Sequence, residues 1–298
     1  MRQIDLVEFT DPACPFAYSA EPIKWRLLWR YGDGLTWTIR VVGLARDAGA
    51  QRAKGFDDER NAAVLRHFDA YGMPLTTVDR RPPAGTWDAC RTIVAAREFA
   101  TGSEPAVLRA LRVLGLAEGR AIDDPEVLDE AARRAGLEPA EVREWAADDA
   151  TARAFQADLA AARDPGPAAL ALDHKLADAE PDVLAELPPA LHVGSAGRRY
   201  TCPSYVLRNG NRSAEVPGFQ PWAAVEAAVA NLVPALAPRP WAGDVAEVLT
   251  WAAGEPLATV EVAALLDRQD ERDAVRDELR QAGAREQAVG TDAFWTAG

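Results

Sequence analysis

Asp11-Pro12-Ala13-Cys14-Pro15-Phe16-Ala17-Tyr18 and Tyr200-Thr201-Cys202-Pro203-Ser204-Tyr205 are the two stretches whose reading decides the fold. The first follows a short apolar run, Ile4 to Phe9, and precedes an amphipathic segment, Glu21 to Tyr31. That order predicts a strand, a loop and a helix, with Cys14 at the strand-to-helix junction. A helix N-terminus offers unpaired N–H groups and positive potential, and both favour the thiolate, the nucleophilic form of cysteine. In the second stretch Pro203 falls where a strand begins, because an interior ladder position would reject a proline. A proline there, preceded by Thr201-Cys202, predicts a tight turn with a cis peptide bond.

Working outward, Leu35 to Val42 alternates at period two and predicts a second strand. Strand, helix and strand within about 40 residues form a right-handed crossover with parallel strands. From residue 51 to 190 the pattern becomes helical, with segments at Asp58–Tyr71, Trp87–Ala100, Glu104–Leu116, Asp124–Gly136, Pro139–Asp148 and Thr151–Arg163. Short helices are expected at Ala168–Ala177 and Pro181–Leu187, ending in the loop Gly194-Ser195-Ala196-Gly197. Strand character returns at Ser204–Leu207, Asn209-Gly210 signals a hairpin, and Ser213–Val216 is its partner. A helix from Pro221 to Leu232 follows. Beyond the linker Pro238-Arg239-Pro240, residues 242–253, 258–267 and 270–283 read as three short helices, and Ala288 to Trp295 as a terminal strand.

The chain has 298 residues, enough for one large domain or two. A net charge of −13 argues against nucleic acid as a partner, because a phosphate backbone rewards basic surfaces. The tail from Trp241 onward is itself acidic, its Arg268, Arg272, Arg276, Arg280 and Arg285 outnumbered by Asp and Glu. No apolar run approaches the ~18–20 residues that span a bilayer, so no membrane partner is expected. Asp5 and Glu8 would interrupt the apolar core of a secretory signal, which makes the cytoplasm the expected compartment. Structural disulfides are rare there, and Cys14, Cys90 and Cys202 are an odd set that builds no disulfide framework. His67, His174 and His192 have no ligand-like spacing, and no metal or nucleotide motif is present. Trp25 and Trp29 fall on the apolar face of their helix and read as core.

Together the Cys14-Pro15 loop and the Thr201-Cys202-Pro203 turn resemble the DsbA-like branch of the thioredoxin fold, over roughly residues 1–235. The resemblance implies an α/β architecture: a thioredoxin fold split by a helical insertion, followed by a small C-terminal helical domain that is winged-helix-like. The segments are 1–50 and 195–236 for the two halves of the thioredoxin fold, 51–194 for the insertion and 239–298 for the C-terminal domain. It also implies that Cys14 is the catalytic nucleophile, with Pro15, Phe16, Cys202, Pro203 and Arg91 binding the substrate or a small thiol. Arg91, in Thr86-Trp87-Asp88-Ala89-Cys90-Arg91, would place a carboxylate of that thiol; Cys90 reads as packing.

One position departs from the family pattern. The usual loop is Cys-x-x-Cys, and here the fourth residue is Ala17, so the loop cannot close its own disulfide. A mixed disulfide on Cys14 would then be resolved by a thiol from solution or by Cys202. Cys202 reads equally as a reactive partner of Cys14 or as a small residue at the start of a strand. Phe16 withdraws polar support from the sulfur, which would make Cys14 a weaker acid than in the strong oxidants of the family. The implied activity is thiol–disulfide exchange through a single cysteine, acting on a small thiol or a protein disulfide with glutathione or mycothiol as co-substrate. Relatives with a degenerate loop include glutathione-dependent 2-hydroxychromene-2-carboxylate isomerases, so an isomerase is an alternative, as is a non-catalytic binding protein.

Overall fold

β1 (Ile4–Thr10) is the strand on which the rest of the molecule is registered. The computed structural model describes residues 4–191 and 197–298; His192 and the loop residues Gly194, Ser195 and Ala196 lie outside the described residues. The remaining strands are β2 (Leu35–Val41), β3 (Leu176–Asp178), β4 (Arg198–Tyr200), β5 (Ser204–Asn209), β6 (Arg212–Val216), β7 (Leu257–Ala258), β8 (Arg285–Val289) and β9 (Asp292–Thr296). β1 runs parallel to β2, with Ile4 opposite Leu35, and antiparallel to β5, with Phe9 opposite Ser204. The main sheet has the order β2-β1-β5-β6. Its strands come from both ends of the thioredoxin fold, which places the start of β5 beside the end of β1.

Two helices follow β1 where the sequence pattern predicts one: α1 (Pro15–Ser19) and α2 (Glu21–Tyr31). Between β2 and β5 the chain forms α3 (Ala48–Ala53), α4 (Asp58–Arg66), α5 (Trp87–Phe99), α6 (Glu104–Arg112), α7 (Pro125–Arg134), α8 (Pro139–Ala147), α9 (Asp149–Ala162), α10 (Pro167–Leu170) and α11 (Pro181–Glu186). The short α3 has no counterpart in the sequence pattern; Asp47 caps it by accepting the Ala50 N–H at 2.8 Å. The helix expected over Ala168–Ala177 stops at Leu170, and Leu176 starts β3 opposite Tyr200. That pairing joins residues remote in sequence, which local periodicity cannot report. α6 runs on into a π-helical turn, Val113–Ala117.

Leu6, Leu27, Leu207, Val225 and Val229 fill the space between one face of the sheet, α2 and α12 (Trp222–Leu232). Ile39 and Val41 of β2 instead pack with the insertion, against Ile93, Leu111, Phe155 and Leu159. At roughly 1.5–3 kcal/mol per buried aliphatic or aromatic side chain, each of these contacts outweighs a surface ion pair.

After α12 the chain continues as α13 (Val245–Ala252), β7, α14 (Thr259–Leu265), α15 (Arg272–Gln281), β8 and β9. The run Ala288–Trp295 is a hairpin, not one strand. It turns on Gly290-Thr291, with Gly290 at φ +55° and the Thr291 N–H donating to Leu75 O at 2.9 Å. A Cβ at position 290 would lie 1.9 Å from that oxygen, so only glycine lets the turn approach. The first hairpin also shifts by one residue: Asn209 pairs with Arg212, which makes Gly210 and Asn211 its central residues. Trp25 and Trp29 are buried as expected, but against Val248, Leu265, Val275 and Trp295 of the C-terminal segment.

Candidate active site

Cys14 is the N-cap of α1, in extended conformation (φ −77°, ψ 113°). Its carbonyl accepts the Tyr18 N–H at 3.0 Å, and its own N–H donates to Asp11 O at 3.2 Å. Pro15 occupies the first helical position, where a missing N–H costs nothing. The sulfur therefore sits at the N-terminal end of α1, where the Ala17 backbone N–H favours its charged form. The residue that removes the second loop thiol still supplies a donor, because the donor is backbone.

The Cys202–Pro203 peptide bond is cis, as expected from the position of Pro203. Cys14 Sγ donates to the Cys202 carbonyl at 3.4 Å, which brings the two quoted stretches into contact. Three thiols are free and buried. The Cys202 thiol, donating to the Cys14 sulfur, is the largest influence on Cys14 and lowers its pKa. Burial opposes it, the Ala17 N–H lowers it further, the Asp11 charge raises it, and Arg112 lowers it again. The balance leaves Cys14 below the ordinary thiol value, whereas burial and the same hydrogen bond push Cys202 well above it.

Arg112 belongs to a buried charge cluster assembled from four parts of the chain, β1, α2, α6 and α14. Its guanidinium pairs with Glu21 of α2, donates to Thr10 at the end of β1 and lies 3.5 Å from Glu8. Arg109, one turn earlier on α6, is 3.3 Å from Glu21 and forms a bidentate pair with Glu261 of α14, both bonds 2.6 Å. Burial works against the Glu21 carboxylate, but Lys24, Arg112 and Arg109 together overcome it and hold its pKa at about 2. Two arginines on the buried face of α6 are the sequence signal for this cluster. A solvated helix would turn them outward, and only packing shows that they turn in.

Asp11 is a second functional candidate that the motif pattern does not single out, although it opens the first quoted stretch. It is fully buried and accepts from Ala13 N and Leu44 N, each at 2.9 Å. Burial raises its pKa despite those bonds. Cys90 Sγ donates to Asp11 Oδ2 at 3.7 Å, and burial and then the Asp11 charge push the Cys90 thiol well above its ordinary value.

Arg91 is not brought to the thiol. α5 presents Cys90 toward Asp11, and the next residue points away. Arg91 is exposed, with its guanidinium 5.6 Å from the Phe155 ring, and lines a cavity of about 280 Å³ with Leu128, Asp129 and Val142. Consecutive helical positions diverge by about 100°, so Arg91 leaves α5 on a different side from Cys90, which is turned toward Asp11. Phe16 is 43% exposed, and Pro203 is buried. His67 and His174 are exposed. Among the described residues, no helix is long and apolar enough to cross a membrane, and no group of three His, Cys, Asp or Glu could hold a metal.

Comparison with known proteins bears on the same residues. The DSBA-like thioredoxin domain matches residues 5–166, more than half of the chain. A candidate protein disulfide isomerase from Nitrosomonas europaea is similar in structure, with a TM-score of 0.55 at 14% identity, covering 78% of this chain and 98% of that one. A probable DsbA oxidoreductase from Streptomyces coelicolor has a TM-score of 0.52 at 24% identity, covering 80% of this chain and 94% of its own. The cytosolic disulfide reductase DsbM from Pseudomonas aeruginosa is more distant, with a TM-score of 0.48 at 18% identity, covering 76% of this chain and 99% of its own. No curated protein sequence matches significantly. A cis-Pro turn set against a cysteine at a helix N-terminus, on a sheet of order β2-β1-β5-β6 and within a matching sequence profile, places this chain in the DSBA-like thioredoxin family.

Proposed function

We propose that this protein is a thiol–disulfide oxidoreductase that works through Cys14 alone, with a low-molecular-weight thiol such as glutathione or mycothiol as co-substrate. The observation that carries the reading is the placement of Cys14: it is the N-cap of α1, its sulfur lies 3.4 Å from the Cys202 carbonyl at the cis-Pro turn, and its surroundings lower its pKa. The Cys14 thiolate attacks one sulfur of a disulfide, forming a mixed disulfide and releasing the other sulfur as a thiolate that takes a proton from water. A small thiolate then attacks the mixed disulfide, leaves with the bound sulfur, and restores Cys14. Cys202 serves here as a hydrogen-bond donor, and Arg112 as a charge that favours the thiolate. A reducing compartment such as the cytoplasm supplies the co-substrate this cycle needs.

Exchange of a small disulfide under excess glutathione tests the reading. Wild type and Cys202→Ser should both turn over, and Cys14→Ser should not. A Cys202→Ser protein trapped as a mixed disulfide despite excess thiol would make Cys202 the resolving group. Activity surviving in Cys14→Ser would overturn the proposal. The missing loop disulfide also favours an isomerase, in which a bound thiol adds to the substrate and leaves without net oxidation. Thiol-dependent conversion of an aromatic carboxylate without consumption of the thiol would support that second reading.

A further inference from the structure

Glu261 is a fully buried carboxylate that reaches from the C-terminal segment into the charge cluster around Arg112. It belongs to α14, beyond the Pro238-Arg239-Pro240 stretch, and both of its oxygens are saturated. Oε1 accepts from Arg109 Nη1 at 2.6 Å and from Trp25 Nε1 at 2.9 Å. Oε2 accepts from Arg109 Nη2 at 2.6 Å and from the Ala258 N–H at 2.7 Å. Arg109 is thereby held by its fork and still lies 3.3 Å from Glu21, the carboxylate that also pairs with Arg112. Arg112 in turn is the cation that acts on Cys14. A continuous line of buried contacts therefore runs from α14, through α6 and α2, to the charge that favours the thiolate.

The C-terminal segment is seated firmly enough to hold that line. Trp29 Nε1 donates to Pro240 O at 2.7 Å, the Arg239 N–H to Arg30 O at 2.8 Å, and Arg26 Nε to Ala264 O at 2.9 Å. These bonds fix α14 against α2 and present Glu261 to Arg109 in one register. Stability alone does not call for a carboxylate there. A buried ion pair is often no more stabilising than apolar side chains of the same size, and Val262, Ala263 and Leu265 already pack α14 into its core. What the pair does is balance charge. Glu8, Glu21 and Glu261 face Arg109, Arg112 and Lys24, the last 3.7 Å from Glu21. Burial raises the pKa of Glu261 against the pull of Arg109, and burial raises that of the Tyr18 hydroxyl, which lies in the field of the same groups. Cys14 itself is faced by Cys202, Asp11 and Arg112.

We propose that Glu261 is a positioning residue for Cys14: by occupying Arg109 it leaves the Glu21 carboxylate to Arg112, and so sets how much of the Arg112 charge is felt at the sulfur. Without Glu261, Arg109 closes on Glu21, Arg112 is less neutralised, and the thiolate is favoured. Without Glu261 and Arg109 together, Glu21 is left to Arg112 and Lys24, Arg112 is more fully neutralised, and the thiolate is disfavoured. The C-terminal segment is on this account part of the thiol site. The inference rests on Cys14 being the reactive thiol and not on the identity of its substrate.

The test is the pH profile of iodoacetamide alkylation in the full-length protein, with the label on Cys14 located by mass mapping. Glu261→Gln should move the midpoint to lower pH, so that alkylation below it speeds by about twofold. Glu261→Met combined with Arg109→Met should move the midpoint to higher pH by a similar amount. Exchanging both members of a buried pair for apolar side chains is the change a fold tolerates best, so this variant still decides the matter if Glu261→Gln does not fold. In an Arg112→Met background neither change should move the midpoint further. Urea denaturation reads stability separately, and a purely structural role would lower stability while leaving every midpoint in place. Shifts of the same sign in both variants, no shift in either, or shifts that persist undiminished in the Arg112→Met background would overturn the proposal. Alkylation uses no disulfide, so a wild type that labels at Cys14 yet exchanges no disulfide would overturn the oxidoreductase reading and leave this inference standing.

Discussion

Cys14 and Cys90 are both buried, at 7% and 0% exposure, and both lie against Asp11, yet their thiols move in opposite directions. Burial disfavours the charged form in both places. Around Cys14 that penalty meets three groups that stabilise a negative sulfur: the Cys202 thiol, the Ala17 N–H and the Arg112 charge. Around Cys90, inside α5, the Gly43 N–H and the Thr86 hydroxyl also favour a negative sulfur, but burial and the Asp11 carboxylate outweigh them. The direction in which each thiol shifts therefore follows the balance of donors and charges around the sulfur, not its depth alone.

The comparison breaks most completely if Cys14 is removed. Cys14→Ser should abolish both disulfide exchange and rapid alkylation, measured by mass mapping after brief substoichiometric iodoacetamide. Label appearing first on Cys90 would reverse the ranking of the two sites. In the wild type the alkylation rate should rise with pH along a titration whose midpoint lies below the ordinary thiol value. The thiolate is the charged form, and a depressed pKa means it is already formed there.

Cys202→Ala takes away the largest stabilising donor. The midpoint should move to higher pH, and alkylation near neutral pH should slow by about tenfold for every pH unit that the midpoint moves. An unchanged profile would leave the backbone N–H as the main cause. Arg112→Met should move the profile in the same direction but less, by about threefold in rate. It should also destabilise the fold by about 3–5 kcal/mol, since Glu21 is left buried with one partner fewer. Urea denaturation separates that loss from the change in reactivity. The smallest effect is expected from Arg91→Ala, which should leave disulfide exchange within about 2-fold, because Arg91 lies over Phe155, away from the thiol. A loss beyond tenfold there would restore the carboxylate-binding role that the sequence suggested.

Arg91 also shows where sequence reading stops. Its motif marks the start of an insertion helix correctly, and α5 begins at Trp87. Which side of that helix meets Cys14 is a matter of rotation about its axis, fixed by the packing of Ile93 and Val94 with Phe155 and Leu159. The arginines that matter are on α6, whose approach to α2 depends on contacts between residues almost 100 positions apart.

The sequence alone determined the elements whose causes are local. Alternation in Leu35–Val42 made β2, Pro15 and the preceding strand put Cys14 at a helix start, and Thr201-Cys202-Pro203 made the cis turn. It also determined that Ala17 leaves the loop without a second thiol. Tertiary structure decided that Cys202 and Arg112 both act on Cys14, that β3 pairs with β4, and that Glu261 closes a charge cluster begun by Glu8 and Glu21. Those outcomes depend on the direction in which side chains leave their elements and on what lies opposite them. A buried charge is tolerated only where its partners converge, and convergence from β1, α2, α6 and α14 is a property of the folded chain alone.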